Sequence, residues 1–143
     1  MFLAAACLLL GDSHALATAI EINALVGSHC AVEATDGISS TAILPRAPSD
    51  LYGVTVISAG ANDALNPRLS KNLEAIRDKI HAGRVVWLLP YDRGAAAAIS
   101  AVAYRWGDQV IDLASSPSRP DKIHCRSYSW VARALKRAGY IAG

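Results

Sequence analysis

Residues 1–14 read MFLAAACLLLGDSH, an unbroken apolar run that stops on a glycine, an acid and a serine. Continuous apolar sequence marks a strand buried on both faces, as in a parallel sheet, and Phe2 to Leu10 is assigned as the first strand. The run also resembles the apolar core of a signal peptide, with Ser13-His14-Ala15 in the place of a cleavage site. Against that reading, no Lys or Arg precedes it, and it is too short to span a bilayer. The strand assignment is preferred because the most informative motif of the chain follows directly.

Outward from this point, strand-like and helix-like segments alternate. A helical stretch from Ala15 to Val26 ends at Gly27, a C-terminal cap residue. A second strand is expected near Cys30 to Ala34. Thr35 to Asp50 is rich in turn formers, among them Asp36-Gly37, Pro45 and Pro48-Ser49-Asp50, and is expected to be loop with at most a short helix. Gly53 to Ser58 (GVTVIS) is β-branched and apolar, hence a third strand. Asn66-Pro67 opens a helix from Leu69 to Ala82, whose Leu69, Leu73, Ile76 and Ile80 form one buried stripe, with Gly83 ending it. A fourth strand runs from Arg84 to Leu89, a helix from Ala95 to Trp106, and a fifth strand from Gln109 to Leu113. Ala114 to Pro120 is a loop, and Cys125 to Ala138 is the closing helix. Five strands joined by helices imply right-handed crossovers and a parallel sheet covered on both faces. The expected architecture is an α/β three-layer α/β/α sandwich, flavodoxin-like, with strand order 2-1-3-4-5. All 143 residues fit one domain, 1–143, without an internal repeat or linker.

Composition excludes several classes. With 52% hydrophobic and 18% charged residues the chain has ample material for a core, which argues against disorder. The formal net charge is only +2, and the basic residues are scattered, with a mild concentration at Arg126, Arg133, Lys136 and Arg137. Nucleic-acid binders show a clustered basic stripe, so no nucleic-acid partner is expected. Three cysteines, Cys7, Cys30 and Cys125, make an odd total with no CxxC spacing. A disulfide framework is therefore not expected, and compartment and export route stay open. His29-Cys30 and His124-Cys125 lack zinc-ligand spacing, so no metal is expected. No cofactor is implied, and no further stretch is long enough for a membrane helix.

In open parallel sheets, ligands bind at the carboxyl ends of the strands. Three features fall there. Gly11-Asp12-Ser13-His14 puts a serine hydroxyl at a strand-to-helix turn, with its N–H at a helix N-terminus. Gly60-Ala61-Asn62-Asp63 follows the third strand and offers an amide donor. Asp121-Lys122-Ile123-His124 precedes the last helix, where a spacing of three puts carboxylate and imidazole on one face. The carboxylate can then orient the ring, leaving its other nitrogen to act as base toward a hydroxyl. Each alone is an ordinary turn or cap; together they are specific.

In that order the three motifs resemble the SGNH, or GDSL-like, hydrolases, whose members carry a GDS motif, a glycine block, G-x-N-D and D-x-x-H. The resemblance spans almost the whole domain and implies the same three-layer fold. It implies Ser13 as nucleophile, His124 as base and Asp121 as its orienting carboxylate. The oxyanion hole would consist of the Ser13 N–H, the Gly37 N–H and the Asn62 side chain. Gly37 comes from the loop Ala34 to Ser40, which resembles the glycine block but continues Ile38-Ser39 instead of Asp-Thr. Asp12 and Asp63 would support their loops. His14 is a minor candidate for substrate contact, His29 and His81 are surface residues, and Tyr91-Asp92-Arg93 stand at the pocket edge or form a plain loop. Gly11 to Ala15 nearly matches the elbow of α/β-hydrolases, but there the serine comes after several strands of a longer domain.

The implied activity is hydrolysis of small acyl esters through an acyl-enzyme, with O-acetyl groups on a carbohydrate or bacterial surface glycan as substrate. A soft pointer to glycans is the Gly-Asp-Ser-His form of the motif. Rival readings are acyl transfer or attack on another envelope polymer such as peptidoglycan, free or on a phage particle, and a non-catalytic glycan-binding domain that keeps the fold. The acyl group, the polymer and the oligomeric state are not legible here.

Overall fold

Along the first strand, Leu8 and Leu10 face one core while Cys7 and Leu9 face another, the period-two alternation of a strand buried on both sides. A computed structural model describes residues 5–27 and 29–142 and places this strand, β1, at Ala5–Gly11. The expected start of the strand at Phe2 lies outside the described residues. Around it the elements run α1 (Ser13–Val26), β2 (Ala31–Ala34), α2 (Ser40–Ile43), β3 (Leu51–Ser58), α3 (Leu69–Lys79), β4 (His81–Leu89), α4 (Arg93–Trp106), β5 (Gln109–Asp112) and α5 (Ser129–Arg137).

All four strand pairings are parallel, in the order β2-β1-β3-β4-β5. The expected α/β/α sandwich is therefore what the chain adopts. One face packs Leu8, Ile57 and Trp87 against Leu73, Ile76 and Ile99 of α3 and α4. The other packs Leu9, Val56 and Leu88 against Ile22 of α1 and Val131 and Leu135 of α5. Trp87 is fully buried, and its indole N–H donates to Asp108 Oδ2 at 2.9 Å. The same carboxylate receives Arg77 bidentately, Nε to Oδ2 at 2.7 Å and Nη2 to Oδ1 at 3.0 Å. No helix among the described residues is long and apolar enough to cross a membrane.

Three expectations need correction. The helix α3 stops at Lys79, and Gly83 does not end it but lies inside β4. Ile80 still reaches the core, from an extended backbone (φ −84°, ψ 128°), so the apolar stripe outlasts the helix. A Cβ on Gly83 would stand 3.0 Å from the carbonyl oxygen of Gly53 on the neighbouring strand, so the glycine serves a close approach of two backbones. The closing helix begins at Ser129 and not at Cys125. The preceding residues are drawn into loop bonds instead: Arg119 N–H donates to His124 O at 2.7 Å, Arg126 N–H to Pro117 O at 3.2 Å, and Ser118 and Cys125 form an antiparallel bridge.

The third correction concerns the cysteines. Cys7 and Cys30 form a disulfide, their Cα atoms 4.8 Å apart, which leaves Cys125 as a buried free thiol. The register explains it. Leu8 pairs with Ala31, so the residues immediately before them sit side by side on adjacent strands. Spacing in the sequence carries no trace of that adjacency.

Candidate active site

The turn after β1 is built around a residue that only glycine can replace. Gly11 has φ +136°, and a Cβ there would lie 1.8 Å from the carbonyl oxygen of Ser58. With β1 and β3 this close, Asp12 N–H donates to Ser58 O at 3.1 Å and the chain turns directly into α1. Asp12 caps that helix: its Oδ1 accepts from His14 N at 3.1 Å and from Ser58 Oγ at 2.7 Å. Capping by a short acidic side chain satisfies an orphan N–H of the first turn. The cap is fully buried, and desolvation pushes the Asp12 carboxyl up to about 6 against the hydrogen bonds that favour its charge.

Ser13, as the first residue of α1, presents its hydroxyl at the carboxyl edge of the sheet. Its Oγ lies 2.9 Å from His124 Nε2. On the far side of the ring, His124 Nδ1 is 2.7 Å from Asp121 Oδ2. A carboxylate only accepts, so Nδ1 carries the proton and Nε2 accepts from the serine. The other Asp121 oxygen receives the N–H groups of Ile123 at 2.9 Å and His124 at 3.0 Å. Together these donors, the imidazole foremost, hold the Asp121 carboxyl well below the usual range.

The Asp121–His124 pair is not set at a helix start, as the spacing suggested. Lys122 takes a left-handed backbone (φ 58°), and its N–H donates to Arg119 O at 2.9 Å. That turn folds both backbone donors onto Asp121 while the side chains meet on one side. A non-glycine residue in this conformation is uncommon, and here it stands between the acid and the base.

The oxyanion candidates come from three loops. Neither the Ser13 N–H nor the Gly37 N–H has a protein acceptor among the described residues. Gly37 is exposed and adopts φ +74°, closing a turn in which Ile38 N–H donates to Thr35 O at 3.4 Å. Asn62 gives one amide hydrogen to Ile38 O at 3.0 Å, which joins the G-x-N-D loop to the Gly37 turn and leaves its second hydrogen without an acceptor among the described residues. Asp63 ties the same loops together, accepting from Ser40 N at 3.1 Å, Ser40 Oγ at 2.6 Å and Asn66 Nδ2 at 3.0 Å. The loop-supporting role expected for Asp12 and Asp63 thus has specific partners, Ser58 and Ser40.

Beside the histidine loop lies an open cleft of about 340 Å³ lined by Ala61, Pro90, Tyr91, Asp92, Lys122 and Ile123. Tyr91 therefore stands at the pocket edge, its hydroxyl donating to Ser116 O at 3.0 Å. Asp92 caps α4 through Ala95 N at 2.9 Å, and Arg93 pairs with Asp112. His29 and His81 are exposed. His14 is completely buried and cannot touch a substrate in this arrangement, which removes the minor role considered for it. Tyr128, a residue that sequence reasoning passed over, lies 2.6 Å from it.

No family model matches the chain, and no curated protein is close enough in sequence to be matched. Solved structures are similar over nearly the full length. A carbohydrate acetylesterase family member from Sinorhizobium meliloti aligns with a TM-score of 0.67 at 14% identity, over 93% of this chain and 96% of that one. The C-terminal catalytic domain of a peptidoglycan O-acetyltransferase from Streptococcus pneumoniae gives 0.65 at 15% identity, over 96% of each. A protein from Desulfitobacterium hafniense, assigned as a lipolytic member of the G-D-S-L family, gives 0.64 at 15%, over 92% and 97%. At such low identity the likeness speaks for architecture. Taken with the 2-1-3-4-5 parallel sheet, it shows that this chain has the fold of the SGNH, or G-D-S-L, hydrolases.

Proposed function

We propose that the protein is a serine esterase that removes small acyl groups, O-acetyl groups on a carbohydrate or surface glycan foremost. The observation that carries this reading is the continuous bond chain from Ser13 Oγ to His124 Nε2 at 2.9 Å and from His124 Nδ1 to Asp121 Oδ2 at 2.7 Å. Ser13 Oγ attacks the acyl carbon as its proton passes to Nε2, and the imidazolium is stabilised by Asp121. The oxyanion that forms is held by the N–H groups of Ser13 and Gly37 and the second amide hydrogen of Asn62. Collapse expels the alcohol, which takes the proton from Nε2 and leaves an acyl-serine. Water then gives its proton to Nε2 and attacks, releasing the acid and restoring Ser13.

Substrate size follows from the surroundings. Short loops leave Asp121 and Asn62 exposed beside an open cleft, a shape suited to a small acyl group on a bulky, solvent-facing partner. The likeness to acetylesterase and O-acetyltransferase structures supports the same choice. Disulfides persist in oxidising compartments, where surface glycans are met, and the Cys7–Cys30 bond fits that setting. Transfer is the second reading: a sugar hydroxyl in place of water would accept the acyl group from Ser13, as the likeness to a transferase domain suggests.

The test compares p-nitrophenyl acetate with longer acyl chains, using wild type and Ser13→Ala. Acetate turnover that fades with chain length and disappears in Ser13→Ala is expected. Equal rates for the two proteins would sink the proposal. Acetylated glycans with and without an acceptor sugar then separate hydrolysis from transfer.

A further inference from the structure

The residue after the proposed nucleophile is an imidazole with no exposure at all, and it faces the loop that carries the proposed base. His14 Nδ1 lies 2.6 Å from Tyr128 Oη, and that same oxygen accepts from Cys125 N–H at 3.1 Å. Cys125 follows His124 directly. The His14 ring is 5.5 Å from the His124 ring and 5.8 Å from the Tyr128 ring, centroid to centroid. The three residues thus form a path from the first turn of α1, where Ser13 sits, to the loop that presents His124.

Donor counting settles the protons. Tyr128 has one hydrogen, and His14 Nδ1 is its acceptor among the described residues. Were Nδ1 protonated, the tyrosine hydrogen and the second ring nitrogen would both be buried without partners. With the tyrosine donating to Nδ1, only the Nε2–H of this pair lacks a protein partner among the described residues. Leaving one buried group unmet costs less than leaving two. Burial also keeps the ring neutral, lowering its pKa to about 4, and the nearby His124 acts in the same direction. Asp121 opposes the shift, and Asp12, Arg119 and Cys125 are the other titratable or charged groups around this network.

We propose that His14 is a positioning residue for the esterase reaction: through Tyr128 and the Cys125 amide it clamps the His124 loop to the start of α1 and keeps Nε2 in register with Ser13 Oγ. The inference rests on the esterase reading above. Local bonds within residues 119–124 already fix Asp121 to His124. The loop meets α1 through the Ser13–His124 bond itself and through Cys125, which is buried in the same core as Ala15. Apart from the reacting bond, the clamp is the directional polar tie between α1 and this loop, so its loss lets an intact acid–base pair shift against Ser13.

The experiment measures kcat, KM and the pH profile of p-nitrophenyl acetate hydrolysis for His14→Phe, Tyr128→Phe, the double variant and His14→Asn. A misplacement near 1 Å lowers rates by up to about a hundredfold, so kcat should drop about ten- to a hundredfold in either Phe variant. KM should stay within about twofold, because acyl binding is untouched. The double variant should be no slower than the singles. His14→Asn should keep most of kcat, since its amide oxygen replaces Nδ1 as acceptor. The midpoint of the acid limb should not move, because the Asp121–His124 pair is intact. Wild-type kcat in the Phe variants, or a His14→Asn as slow as His14→Phe, would overturn the clamp. Should His14→Phe fail to fold, Tyr128→Phe against His14→Asn carries the same decision. A wild type that neither turns over the ester nor reacts with a fluorophosphonate refutes the esterase reading itself, a separate outcome from an active wild type with indifferent variants.

Discussion

Replacing Asp12 by Asn should change how stability depends on pH, and the amount follows from the burial of the cap. The Asp12 carboxyl is 0% exposed, and burial raises it from 3.8 to about 6. A group whose folded pKa is raised stabilises below its unfolded pKa, and that contribution is lost as pH rises through the folded value. At about 1.4 kcal/mol per pKa unit, moving the carboxyl from 3.8 to about 6 costs about 3 kcal/mol in full once it ionises, of which about 2–3 kcal/mol falls between pH 4 and 7. Asn keeps an oxygen for His14 N–H and Ser58 Oγ but has nothing to ionise. Relative to wild type, Asp12→Asn should gain about 2–3 kcal/mol on going from pH 4 to 7, whatever fixed cost the substitution carries.

His14 provides a control of opposite sign. Its folded pKa is depressed from 6.5 to about 4, so its contribution is present above 6.5 and is lost as pH falls toward 4. In wild type the two slopes oppose each other and the profile between pH 4 and 6.5 should be nearly flat in these terms. His14→Asn, unlike Asp12→Asn, should gain on wild type as pH falls. Urea unfolding of the three proteins at half-unit pH intervals measures both differences. If Asp12→Asn differs from wild type by the same amount at every pH, the carboxyl titrates normally and the account of a desolvated cap is wrong.

Two further outcomes concern the scaffold. Reducing Cys7–Cys30, or replacing both residues by Ala, opens a loop with a sequence separation of 23 and should lower unfolding free energy by roughly 3 kcal/mol by chain-entropy reasoning; an unchanged urea midpoint would refute it. Asp108→Ala strips the partner from Arg77 and from the buried Trp87 N–H, and should cost roughly 3–5 kcal/mol, read as a fall in the urea midpoint with esterase activity retained in the folded fraction.

What was legible in the sequence was what neighbouring residues decide among themselves. The run through Leu8, Leu9 and Leu10 has to be buried on both faces, and Gly11-Asp12-Ser13 is turn, cap and helix start in three consecutive residues. Right-handed crossovers narrow the strand orders, and 2-1-3-4-5 is the flavodoxin-like choice among them that the family resemblance also implies. The same locality explains the errors. Ile80 sits at helical spacing, yet burial rewards it equally in an extended backbone, so the apolar stripe ran past the true end of α3. The residues from Cys125 on read as helix because nothing nearby forbids it; what forbids it is bonding back to Pro117 and Arg119.

The features hardest to foresee are those made by distant register. Cys7 meets Cys30 only once Leu8 is paired with Ala31, and His14 meets Tyr128 across 114 residues. The site itself divides along this line. Asp121 and His124 are three residues apart and assemble their own half through a turn that Lys122 permits, so a short motif suffices to show it. Bringing that half to Ser13 is a tertiary task, shared by core packing around Cys125 and by the tie from Tyr128 to His14, a motif neighbour whose partner lies 114 residues away. A chain can therefore keep every motif residue and still lose its chemistry by loosening contacts the motif does not contain. For this fold, inspecting the support behind the motif is the sharper way to separate a working site from one that only carries its residues.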